Sequence, residues 1–157
     1  LARTDAAREH CASYLVEMEI VTRRIVAEDL DQLFQLVEQF ATSFRPERGA
    51  FDVSVREILL DRSAWLFGAL RDGHLVGYCL GFEHSTLFAN GRVSWVEEIM
   101  VAESARRTGI GRTLMSEFEE WARGRGSRLV GLATRRAAPF YEALGYEASA
   151  TYFRRVL

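Results

Sequence analysis

The sequence predicts an α+β fold, built on a mixed, mostly antiparallel central sheet with helices on both faces. Three observations carry that expectation. Two apolar runs, Ser63–Leu70 and Leu75–Glu83, flank the pair Asp72-Gly73, which is a hairpin signal. A third run, Arg92–Val101, leads through a glycine-bearing turn into an amphipathic helical stretch. Beyond that stretch lies a further short apolar run, Arg128–Ala133, which a helical crossover places parallel to the strand before it.

Composition narrows the class before any element is assigned. A chain of 157 residues with 48% hydrophobic and 27% charged residues is that of an ordinary globular domain. The formal net charge of −2 gives no support for binding nucleic acid or an anionic membrane through bulk charge. Two cysteines cannot build a disulfide framework, and three scattered histidines do not form a zinc pattern, so no metal is expected. The sequence has no apolar run of ~18 residues and no signal-peptide pattern, which makes the cytoplasm the expected location.

The elements follow in order. Residues 1–18 are read as an N-terminal extension, with Ala7, Cys11, Leu15 and Met18 sharing a helical face; a frayed leader is the alternative. Residues 19–157 are read as one domain. Glu19–Ile25 alternates as a first strand. Glu28, Asp29 and Asp31 crowd the start of a helix whose stripe is Leu30, Leu33, Phe34, Val37 and Ala41. Pro46 and Gly49 are read as breaks, with a second helix over Asp52–Leu60. After the hairpin, in which Cys79 is a small core residue, the loop His84–Gly91 feeds the third strand. Leu114, Phe118, Trp121 and Ala122 line the next helix, ended by Gly124 and Gly126. A short helix around Pro139 ends before Gly145, and Tyr146–Leu157 is predicted as one long or two short strands. An exposed strand there would offer an edge for a homodimer.

The chemistry concentrates between Trp95 and Met115. The turn Arg106-Arg107-Thr108-Gly109-Ile110-Gly111-Arg112 opens a helix, where unpaired N–H groups and the helix dipole favour an anion, most often phosphate. A dinucleotide fold fits poorly, because the turn follows a meander and no second βαβ unit appears. A Walker loop also fits poorly, since Gly111 is followed by Arg112-Thr113. Strand alternation puts Glu97 and Glu98 on opposite faces, so one of them can face a site.

A second motif, Ala137-x-x-Phe140-Tyr141-Glu142-x-Leu144-Gly145-Tyr146, stands downstream of the turn. Together, the strand with Glu97, the Arg106-x-x-Gly109-x-Gly111 turn, the helix and this motif resemble the GNAT superfamily of acyl-CoA-dependent N-acetyltransferases. The resemblance spans residues 20–157 and is densest from 95 to 146. It implies acetyl-CoA as co-substrate, with a parallel strand pair splayed at the acyl-CoA site. The turn residues Arg106 to Arg112 would hold the pyrophosphate, and Ile99, Met100 and Val101 would offer backbone groups to the pantetheine amides. Phe140 and Thr134 belong to the same implied cofactor set. Many relatives carry Asn where this chain has Thr134, whose hydroxyl would either cap the next element or contact pantetheine. Glu97 matches the base of relatives such as the spermidine/spermine acetyltransferases, and Tyr141 the acid that protonates the leaving thiolate.

Elementary chemistry asks for the same groups. An amine attacks a thioester only when neutral, the oxyanion needs a donor such as the N–H of Ile99 or Met100, and the thiolate gains from an acid. Cys79 lies mid-strand with no neighbouring His, so an acyl-enzyme has no support. The implied activity is acetyl transfer to a primary amine by direct attack in a ternary complex. The acceptor would be a small molecule or peptide, neither nucleic acid nor membrane. It would sit between the Phe40–Phe51 segment, the His84–Gly91 loop and a C-terminal hairpin, lined by Trp95, Phe44, Phe51 and Tyr152. Glu83, Glu97 and Glu98 hint at a cationic acceptor. The competing class is a non-catalytic acyl-CoA-binding or sensing module of the same fold, and a nucleotide-binding regulator is a third.

Overall fold

In the computed structural model, residues 19–156 are described; the expected N-terminal helix lies outside them. Five strands form one sheet in chain order: β1 (Ile20–Arg24), β2 (Ala64–Arg71), β3 (His74–Ser85), β4 (Arg92–Val101) and β5 (Ser127–Leu132). The first four pair antiparallel and β4–β5 pair parallel. The β2–β3 turn is carried by Asp72 and Gly73, both at positive φ, as the hairpin signal requires.

Alternation along the strands divides the core in two. On one face Leu66, Leu70, Tyr78, Leu80 and Met100 pack against Leu33 and Leu36 of α1 (Leu30–Phe40) and Val55 of α2 (Arg48–Leu60). On the other, Trp65, Ala69, Cys79 and Val96 pack against Ile110, Leu114, Met115 and Phe118 of α3 (Ile110–Gly124) and Tyr141 of α4 (Ala138–Glu142). Among the described residues no helix is long and apolar enough to cross a membrane.

Two expectations are corrected. The second helix starts at Arg48, four residues early, so Gly49 lies inside its first turn instead of breaking the chain. Arg48 ties that turn to Asp52 and to Asp31 of α1, which offsets the poor helix propensity of glycine. The C-terminal strands are absent among the described residues: residues 146–156 carry no strand pairing. Residues 147–156 are all exposed, so no face of this stretch is buried to fix a register, and the proposed C-terminal dimer edge loses its basis.

One irregularity positions everything that follows. Leu80 pairs with Glu98 and Gly81 with Val96, so Glu97 is an extra residue bulged from β4. Gly81 is required opposite the bulge, because a Cβ there would overlap the Phe118 ring and come within 2.7 Å of the Trp95 carbonyl oxygen. Gly81→Ala is therefore expected to lose about 1–3 kcal/mol in urea unfolding. Gly49→Ala, whose Cβ meets nothing within 4 Å, is expected to gain about 0.4–1 kcal/mol. Equal effects of the two substitutions would contradict this placement of the bulge.

Candidate active site

The site begins where backbone pairing stops. Strands β4 and β5 are in register from Val93↔Leu129 to Val96↔Leu132, after which β4 continues alone to Val101. Its other edge remains paired: Glu98 and Met100 face β3, and Ala102 N–H donates to the Val76 carbonyl at 2.8 Å. Backbone groups alternate sides along a strand, so those of Ile99 and Val101 point into the gap beside β5. Met100 turns its carbonyl toward Gly77 of β3, so its backbone does not serve the gap. The side chains of Ile99, Val101 and Leu132 pack with Tyr141 on the α3 face of the opening.

The glycine turn lies at the end of the same strand. Val101 leads through a 3-10 turn, Glu103–Ala105, to Arg106, whose Nε donates to the Val101 carbonyl at 3.1 Å. Thr108 Oγ1 donates to the Ala105 carbonyl at 2.7 Å and closes the turn. Arg107 at φ 60° and Gly109 at φ 89° then reverse the backbone into α3. The N-terminus of α3 has no side-chain cap and no acid in its first turn. Its leading N–H groups stand uncompensated among the exposed Arg106, Arg107 and Arg112. A Cβ on Gly109 would project into open space, whereas one on Gly111 would touch the Phe140 ring at 3.2 Å. Gly109 thus serves the left-handed turn, and Gly111 leaves room for Phe140. Ile110 is buried in the core beneath the turn.

Tyr141 is held by α4, and Thr134 closes the turn that leads into it: Ala137 N–H donates to Thr134 Oγ1 at 3.0 Å. The Tyr141 ring packs edge-on against Phe140 and Tyr146, and burial pushes its phenol up to about 12. It stays protonated at neutral pH, which is the state an acid needs. Burial likewise pushes the Cys79 thiol up, so it is no nucleophile.

The bulge separates the two carboxylates. Glu97 is exposed. Glu98 takes the place opposite Leu80 on the α1/α2 face, where it accepts a 2.6 Å hydrogen bond from the Tyr78 hydroxyl. Burial raises the pKa of Glu98, the Tyr78 hydrogen bond opposes that rise, and the nearby Glu97 charge adds to it. Together Glu98 and Tyr78 close one side of a cavity of about 360 Å3 between the sheet, α1 and α2. Sequence reasoning passed over Tyr78. A phenol within an apolar strand needs a buried partner, and the neighbouring strand's carboxylates could have suggested it.

Other expected acceptor contacts fall elsewhere. Phe51 lines the cavity, but Phe44 and Tyr152 are exposed and Trp95 packs over Gly131 of β5. Glu83 is buried and committed to two guanidinium groups, with Arg92 at 2.7 Å and Arg125 paired to the other oxygen. Burial alone would raise its pKa, but hydrogen bonds from Arg125 and the adjacent guanidinium of Arg92 hold it below the usual carboxylate range. It is therefore unavailable to a cationic acceptor.

A five-stranded sheet with one parallel pair, parted at a bulge and followed by a helix with no side-chain cap, defines a mixed α+β class of fold. The chain belongs to the acetyltransferase (GNAT) family, whose model matches residues 30–146. Similar solved structures share the fold. A transcriptional regulator from Bacillus halodurans C-125 matches with TM-score 0.80 and 24% identity, over 88% of this chain and all of that one. A putative acetyltransferase from Agrobacterium tumefaciens matches at 0.77 and 24%, over 87% and 99%. Aminoglycoside N-acetyltransferase AAC(6′)-Iy in complex with CoA matches at 0.76 and 21%, over 87% and 95%.

Because the folded-state pKa of Glu83 is depressed, its stabilisation is present above the ordinary glutamate value of ~4.3 and is lost as pH falls through the folded value. Glu83→Gln is expected to cost about 1–3 kcal/mol at pH 7 and to flatten the loss of stability below pH ~4.3. Thermal unfolding of both proteins across pH tests this, and parallel curves would contradict it.

Proposed function

We propose that this chain transfers an acetyl group from acetyl-CoA to a primary amine by direct attack in a ternary complex. The observation that carries the reading is the gap beyond Val96↔Leu132, with Ile99 backbone groups in it, Tyr141 on one face and Glu98 on the other. The opening, the uncapped α3 turn and the open space at Gly109 fit the extended carrier and its phosphates.

The residues take the following parts. Arg106, Arg107, Arg112 and the first N–H groups of α3 hold the phosphates, and Ile99 and Val101 bond the pantetheine amides. The Ile99 N–H is the donor for the oxyanion. Sequence resemblance points to Glu97 as base, whereas its exposure on the bulge and the enclosure of Glu98 favour Glu98. Glu98 takes a proton from the acceptor ammonium, freeing the lone pair that attacks the thioester carbonyl carbon. The C–N bond forms, the C–S bond breaks, and Tyr141 gives its proton to the sulfur. The nitrogen's second proton restores the Tyr141 phenol through solvent, and Glu98 gives up the first, so one proton is released per turnover and both groups return to their starting states. A carboxylate with a raised pKa is the stronger base, and a phenol kept neutral by burial is the ready acid.

Tyr141→Phe is expected to lower kcat by about 10²-fold or more and leave the Kd for acetyl-CoA unchanged. Glu98→Gln is expected to lower kcat/KM by a similar factor and to remove the acid limb of its pH profile. In the unsubstituted protein that limb lies above the ordinary glutamate value of ~4.3. Glu97→Gln should retain the limb. If Glu97→Gln removes it and Glu98→Gln does not, the base is Glu97. Acetyl-CoA binding unaccompanied by turnover with any amine would instead favour a sensing module.

A further inference from the structure

The cavity beside Glu98 has a composition that specifies its occupant. Its walls are Leu33, Val37, Phe51, Val55, Leu66 and Leu80, and its polar floor is the Glu98 carboxylate with the Tyr78 hydroxyl. At the mouth Arg45 and Glu47 carry opposite charges, so Glu98 is the one unbalanced charge in the lining. A volume of about 360 Å3 is near the small end for ligand sites. Glu98 is also the chain neighbour of Ile99, the first residue beyond the β4–β5 pairing whose backbone faces the gap.

We infer that the acceptor is a monoamine with a compact apolar body, an arylalkyl- or alkylamine, whose ammonium nitrogen meets Glu98 and whose body fills the cavity between α1 and α2. The inference rests on the acetyl-transfer reading and narrows it. A polyamine or aminoglycoside carries several cationic groups, each of which would need a carboxylate or water. The apolar walls supply no carboxylate besides Glu98, and Glu47 at the mouth is offset by Arg45, so further cationic groups held against those walls would be left unpaired at a cost. Glu83, which is buried in the same sheet, is already neutralised by Arg92 and Arg125. An apolar body gains from the same walls, and a single ammonium matches the single carboxylate.

The test is calorimetric titration of the full chain with 2-phenylethylamine, spermidine and the uncharged 2-phenylethanol, with and without saturating CoA. Thiol release from acetyl-CoA is followed in parallel. Saturable binding and acetylation of 2-phenylethylamine, at least about tenfold tighter than either comparator, is expected. Ala50 lines the cavity and is exposed, so Ala50→Trp fills the opening without replacing a core residue. That variant should lose amine binding while keeping the thermal shift produced by CoA. Glu98→Gln should weaken 2-phenylethylamine by about tenfold or more and leave 2-phenylethanol unaffected. Acetylation of spermidine in preference to 2-phenylethylamine overturns the substrate class and leaves acetyl transfer standing. No saturable 2-phenylethylamine binding, with or without CoA, also overturns it. Saturable, Glu98-dependent amine binding in a protein that CoA does not stabilise supports the cavity assignment and defeats the acetyl-transfer reading instead.

Discussion

The end of hydrogen bonding between β4 and β5 is the constraint on which the rest of the structure depends. Up to Val96↔Leu132 the two strands satisfy one another; beyond it, β4 keeps its partner on the β3 side alone. An unpaired strand edge inside a protein is costly unless something pairs with it. In this fold the bulge at Glu97, the break in pairing and the glycine turn follow one another within 15 residues of chain. The backbone therefore presents two kinds of unfilled hydrogen-bonding group along one line: the strand groups of Ile99 with the Val101 N–H, and helix N–H groups after Gly109. An extended carrier with amides at one end and phosphates at the other answers both.

Two carboxylates on the same sheet, Glu83 buried and Glu98 half-buried, show how surroundings decide a role. Glu83 is enclosed by Arg92 and Arg125, so its charge is neutralised and the contact joins β3, β4 and the end of α3. Glu98 receives a neutral hydroxyl from Tyr78 and otherwise faces a cavity. Burial lowers the acidity of one and is overcome in the other. The first is structural. The second is left with unspent capacity to accept a proton or bind a cation.

Most of the architecture was legible in the chain because its signals are local. Asp72-Gly73 sets the hairpin, the stripe from Leu114 to Ala122 sets α3, and Pro139 and Gly145 bracket α4. The turn at Gly109 was readable for the same reason. The bulge was not, because an extra residue in β4 is defined only against its register with β3, and Gly81 gives no sign alone that it faces Phe118. Missing it left Glu97 and Glu98 indistinguishable by alternation. The start of α2 was hidden by Gly49, whose propensity is overridden by the contacts of Arg48. The C-terminal stretch has β-forming residues, but strand formation also needs a partner edge and a buried face, neither of which sequence displays.

The most direct test of the central claim, that the gap and turn hold an acyl-CoA, is thermal unfolding with acetyl-CoA, CoA, ATP and NAD side by side. At ~100 times Kd a ligand adds roughly 2.7 kcal/mol, about 5–11 °C for a chain of this size. The account predicts a shift of that order with acetyl-CoA and CoA and a much smaller one with ATP or NAD, because the latter pair lack the pantetheine arm proposed to bond Ile99 and Val101. No shift with either CoA species at millimolar concentration, or an equal shift with ATP, would contradict it.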